Sequence, residues 1–169
     1  MGKKFIVIPI LTILLFSTLS GCTESKTWGN APDFTLKTLK GETITLSDFQ
    51  GKVIILDLFG VDCPYCRAQM PILKQIYENY SDVVIISIDV YPYETEEYLQ
   101  SFIDFVYEQY GISLDWYFGM DSDGSIGKTY VKNNGVPRLV IIDKKGNIKY
   151  EKSGYTSYSD LSAELEKYI

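Results

Sequence analysis

Two cysteines two residues apart, Cys63-Pro64-Tyr65-Cys66, follow directly on the run Val53-Ile54-Ile55-Leu56-Asp57-Leu58-Phe59. No other feature constrains the fold as much. A segment apolar on both faces, Asp57 excepted, belongs inside a sheet. The residues after it, Arg67 to Tyr80, repeat at helical spacing through Met70, Leu73, Ile76, Tyr77 and Tyr80. Pro71 is placed to bend that helix. The cysteine pair therefore stands where a buried strand hands over to a helix. There the free backbone N–H groups and the helix dipole favour a thiolate on the first sulfur. Free cysteine titrates near 8.5, and such surroundings commonly bring it to roughly 3.5–7.5. A bridge across two residues restrains the unfolded chain very little, so the pair reads as a redox centre and not as a staple.

The third cysteine, Cys22, belongs to a different segment. Lys3 and Lys4 form a short basic start, Phe5 to Leu19 is almost uninterruptedly apolar, and Leu19-Ser20-Gly21-Cys22 closes the stretch. This resembles a secretory lipoprotein signal. The expectation is a signal peptide over 1–21, a lipidated Cys22 with a polar tether over 22–30, and one domain over 31–169. An uncleaved signal anchor is the alternative. Either places the domain outside the cytoplasm, at the outer face of the cell membrane. One lipidated cysteine needs more than one acyl chain for stable attachment.

The chain has 169 residues, enough for one domain with a substantial core. It contains no histidine, which excludes His-based triads and zinc sites that need His. The net charge is −6 with scattered Lys and Arg, so no basic stripe for nucleic acid is present.

Periodicity supplies the remaining elements. Phe34–Lys37 and Thr43–Leu46 alternate at period two across Gly41, a hairpin. Val83–Ile88 is a second buried strand, in place for a parallel βαβ unit. Glu94–Tyr110 reads as an amphipathic helix ended by Gly111. Leu139–Ile142 and Asn147–Tyr150 flank a turn at Asp143-Lys144-Lys145-Gly146, and Ser159–Ile169 forms a last helix. The order ββ-β-α-β-α-β-β-α implies a mixed sheet with helices on both faces.

With these landmarks in order, the chain resembles the TlpA/ResA group of thiol–disulfide oxidoreductases over residues 31–169. The resemblance rests on Ala31-Pro32-Asp33-Phe34-Thr35-Leu36, Leu46-Ser47-Asp48-Phe49, Gly51-Lys52, the cysteine pair, Met70-Pro71, Gly135-Val136-Pro137 and Asp143-Lys144-Lys145-Gly146. It implies an α/β thioredoxin fold with an N-terminal β-hairpin extension. It implies that Cys63 attacks, that Cys66 resolves the mixed disulfide, and that Pro137 is a cis-proline facing the pair. Val136 would then pair its backbone with an incoming peptide, and Pro64 and Tyr65 would complete the substrate-binding surface. Asp57 matches a buried acid able to exchange a proton with Cys66. No cofactor beyond the Cys63–Cys66 couple is implied, and no metal. The partners implied are exported protein thiols and disulfides, for example in cytochrome maturation, with a membrane dithiol donor upstream.

Three residues depart from the group's pattern. Asp62 stands before the first cysteine, where Trp is common, and its charge opposes a thiolate on Cys63. Gln69 occupies a place where some relatives carry an acid. Pro64-Tyr65 differs from the dipeptides usual in reductive members, so disulfide oxidation or isomerisation is the alternative direction. Peroxide reduction would need Pro-x-x-x-Thr/Ser-x-x-Cys, which neither cysteine completes. A soft-metal-binding module using the two thiols has neither His nor a Met-rich cluster beside them. Gly127-Lys128-Thr129 and Asp121-Ser122-Asp123-Gly124 look like phosphate and calcium loops but miss the required glycines, and read as a turn entering a short helix.

Overall fold

The computed structural model describes residues 1–2, 28–132 and 134–169. The expected signal peptide, the lipidated Cys22 and most of the tether lie outside the described residues. Residues 28–30, assigned to the tether by sequence, are packed against the domain. The Asn30 side chain accepts a hydrogen bond from Ile148 N at 2.9 Å, and Ala31 N donates to the Gly146 carbonyl at 3.0 Å.

A two-stranded antiparallel hairpin comes first, β1 (Thr35–Lys37) with β2 (Thr43–Thr45), followed by a short 3-10 helix at Leu46–Phe49. The main sheet has five strands in the order β5-β4-β3-β6-β7. Here β3 is Val53–Phe59, β4 Val83–Asp89, β5 Tyr117–Met120, β6 Arg138–Ile142 and β7 Ile148–Ser153. Strand β3 runs parallel to β4 and antiparallel to β6, which places it at the centre with all seven residues buried. Each buried Ile or Leu there contributes roughly 1.5–3 kcal/mol relative to exposure. That is enough to offset the roughly 1–2 kcal/mol of backbone entropy lost per ordered residue.

Alternation along β3 sends side chains into two cores. Val53, Ile55 and Phe59 meet α1 (Pro64–Asn79), α2 (Glu96–Tyr110) and α4 (Tyr158–Leu165) through Met70, Leu73, Phe102, Val106 and Leu161. Ile54, Leu56 and Leu58 meet the hairpin and α3 (Ser125–Tyr130) through Leu36, Leu46, Ile126 and Tyr130. Asp57 shares the parity of the first set and so faces the core that holds Cys66.

Helix α1 continues through Pro71. Helix α2 begins at a Thr95 cap, whose hydroxyl accepts Tyr98 N at 3.2 Å, and ends at Gly111 with φ 66°. That left-handed C′ position is glycine's. Two elements differ from the periodicity. Strand β5 has no period-two signal: four residues, Gly119 among them, are recruited as an edge strand by pairing with β4. The last helix stops at Leu165 instead of Ile169. The turn of Asp121 and Asp123 is a helix entry, with Gly127 N donating to Asp121 at 2.6 Å and Ser125 N to Asp123 at 2.9 Å.

Candidate active site

Cys63 is the N-cap of α1, with Pro64 in the first helical position. Proline suits that position because its missing N–H would have had no helical partner. Extended backbone at Cys63 (φ −82°, ψ 111°) turns its side chain back over the first turn. Its Sγ accepts the Cys66 N–H at 3.2 Å, and its carbonyl accepts from Cys66 N and Arg67 N, both at 3.1 Å. One of the unpaired amides of the helix end is thus spent on sulfur, which favours negative charge there. One turn deeper, Cys66 is fully buried, and the two are joined as a disulfide with Cα atoms 5.1 Å apart. Cys63 is half-buried, whereas Cys66 is closed off from solvent.

The Val136–Pro137 peptide bond is cis. Register Leu58↔Arg138 puts Pro137 opposite the last residue of β3, at the sheet end that also delivers the cysteines. Pro137 is buried, its carbonyl accepts Gly154 N at 2.8 Å, and Val136 is half-buried beside both cores. Pro64 and Tyr65 are exposed, Tyr65 at 68%.

Residues 27–167 match the Redoxin family. The chain belongs to the Redoxin family. It is 29% identical to the thiol-disulfide oxidoreductase ResA of Bacillus cereus, over 99% of this chain and 98% of that relative. Against ResA of Bacillus thuringiensis it is 33% identical over 81% of this chain and 75% of the relative. Among solved structures, the thioredoxin domain of a thiol-disulfide oxidoreductase from Bacteroides vulgatus superposes with TM-score 0.65 at 25% identity, covering 81% and 93% of the two chains. This Redoxin chain is a thiol–disulfide oxidoreductase with its Cys-x-x-Cys pair at bonding distance.

Around the sulfurs the Redoxin frame holds several polar groups. Asp57 is fully buried, and its carboxyl is pushed up to about 7, by loss of water first, against a lowering hydrogen bond from Ser87. Ser87 Oγ donates to Asp57 Oδ2 at 2.8 Å, and Trp116 Nε1 donates to Ser87 Oγ at 2.9 Å. The other carboxyl oxygen, Oδ1, has no hydrogen-bond partner among the described residues. Sequence indicated Asp57 but neither Ser87 nor Trp116, which sit on β4 and just ahead of β5. No local motif marks them; only register does, through Asp57↔Ser87.

Gln69, at the place where some relatives carry an acid, is fully buried. Its amide donates to the Thr156 carbonyl at 3.1 Å and accepts Thr156 N at 2.8 Å, pinning α1 to the loop before α4. Asp62 is exposed and engages Tyr98 and Arg67. Behind the loop at 60–62, Glu94 Oε2 accepts Val61 N at 3.4 Å. Asp89 is buried nearby, its carboxyl raised by loss of water and then by Glu94. Of the aromatic stripe on α2, Phe102 stacks on Phe59 at 4.8 Å, while Phe105 is partly exposed beneath Arg67.

Proposed function

We propose that this chain reduces disulfides in exported proteins outside the cytoplasm. The observation that carries the reading is the asymmetry of the pair: Cys63 is reachable and takes an N–H hydrogen bond on sulfur, while Cys66 is sealed on the face of β3 that carries Asp57. The Cys63 thiolate attacks one sulfur of a substrate disulfide; a Cys63–substrate bond forms and the other substrate sulfur leaves as a thiolate. Cys66 then gives its proton to Asp57 and attacks Cys63 Sγ. The internal disulfide forms, the second substrate thiolate departs, and two electrons have passed to the substrate. A carboxyl poised near 7 suits such a transfer at neutral pH. Backbone of an incoming peptide pairs with Val136 beside Pro137, and Pro64 and Tyr65 present the flanking surface. A membrane dithiol donor restores the pair, Cys22 holds the domain at the outer face of the membrane, and the redox couple works without a cofactor. Apocytochrome disulfides, reduced to the thiols that haem attachment needs, are one substrate class this role fits.

The test is insulin reduction with a thiol donor. Cys63→Ser abolishes turnover, and Cys66→Ala accumulates covalent mixed disulfides in intact cells. Full activity of Cys63→Ser ends the reading. The potential of the couple sets direction: about −270 mV fits a reductant and about −120 mV an oxidant.

A further inference from the structure

Asp62 places an acid immediately before the attacking cysteine in the chain, and the fold brings its carboxylate to two groups from other places. Tyr98, on α2, donates its phenolic O–H to Asp62 Oδ1 at 2.7 Å. Arg67 Nη2 stands 3.7 Å from the same oxygen. Arg67 is itself fastened: its Nε donates to the Val61 carbonyl at 3.1 Å, and its guanidinium lies 4.6 Å over the Phe105 ring. Tyr98 and Phe105 are seven residues apart, about two helical turns, so one face of α2 supplies both the hydroxyl and the ring under the cation. The remaining groups at this loop carry no positive charge. Glu94 touches Val61 N, Asp89 is buried behind it, and Asp57 faces the core that holds Cys66. Arg67 is the counter-charge here among the described residues.

We propose that Arg67 and Tyr98 are positioning residues of the redox site, which fix where the Asp62 carboxylate sits so that Cys63 keeps its thiolate beside an acid. The proposal rests on the thiol–disulfide reading and assigns how its attacking sulfur is tuned. Asp62 is 76% exposed at its side chain, so water screens each contact and neither contributes much to stability. Tuning needs little. About half a pH unit in the Cys63 pKa changes the thiolate fraction roughly threefold on the acid side. A neighbouring carboxylate that moves by a few ångströms in partly aqueous surroundings supplies that much.

The experiment follows the iodoacetamide alkylation rate of Cys63 against pH in the reduced full chain, with the cysteines resolved by peptide mass. Arg67→Gln raises the Cys63 pKa by about half a pH unit, and Tyr98→Phe, which keeps the ring and the helix packing, raises it by less. On the Asp62→Asn background neither substitution moves it further. Two results overturn the proposal: no change in either single variant, or the same Arg67→Gln shift with and without Asp62→Asn, since Arg67 would then act on the sulfur directly. Alkylation reads the sulfur with no protein substrate, so its outcome is independent of whether insulin is reduced.

Discussion

Asp57 is an acid at the centre of a hydrocarbon strand, and its surroundings supply one hydroxyl where water would supply several partners. Loss of water therefore dominates, and its folded carboxyl titrates near 7 against 3.8 for the ordinary group. Below pH 4 both folded and unfolded chains hold the proton, and Asp57 subtracts nothing from stability. As pH rises from about 4 to 7 the unfolded chain releases the proton and the folded one keeps it, so stability falls by up to about 1.4 kcal/mol per unit. Above 7 the cost is complete, on the order of 4 kcal/mol. Asp57→Asn removes this dependence. In urea unfolding of the oxidised protein, the variant matches the parent near pH 4 and exceeds it by about 2–4 kcal/mol at pH 8. The same substitution slows the resolving step by about 10²-fold at pH 7, seen as longer-lived mixed disulfide in stopped-flow. Greater stability with slower turnover is the mark of an acid kept for chemistry.

Two contacts between elements decide how rigidly the site is framed. Gln69 ties the first turns of α1 to Thr156 through a paired amide–backbone bond, wholly buried. Gln69→Leu keeps helix propensity and volume but strands a buried N–H and C=O at Thr156. It is expected to cost about 2–4 kcal/mol in denaturant unfolding. At the other edge, Leu39 N donates to Phe118 O at 2.9 Å, and Thr38 bridges Gly119, so the chain beyond β1 covers β5. A Cβ at Gly119 would meet Leu36 Cγ at 2.7 Å and the Lys37 carbonyl at 2.8 Å, and the backbone oxygen has nowhere to go. Gly119→Ala lowers stability by about 1–3 kcal/mol, measured as a fall in Tm. Strand β5 was invisible to periodicity, yet Trp116 just ahead of it orients the Ser87 hydroxyl that holds Asp57.

At the scale of the molecule, the domain is a sheet with two unequal cores and a redox pair at one end. The proposed attachment through Cys22 has a direct test: Cys22→Ser is expected to move the protein from the membrane fraction to the soluble extracytoplasmic fraction, assayed by immunoblot. Residence of both forms in the membrane fraction would point to an uncleaved anchor. The sequence by itself determined the central strand, the helix that starts at the cysteines, the hairpins and the order of the elements other than β5, because burial periodicity and turn residues act over a few positions. It also marked Cys63 and Cys66 by chemistry and spacing, and Asp57 and Pro137 through the family resemblance. Tertiary structure alone decided that β5 is a strand, that Gln69 is a clamp, and that Asp62 meets Tyr98 and Arg67. Except for Arg67, five residues from Asp62, those partners lie 31 to 87 residues away in the chain, brought together by register and helix packing that no local pattern encodes.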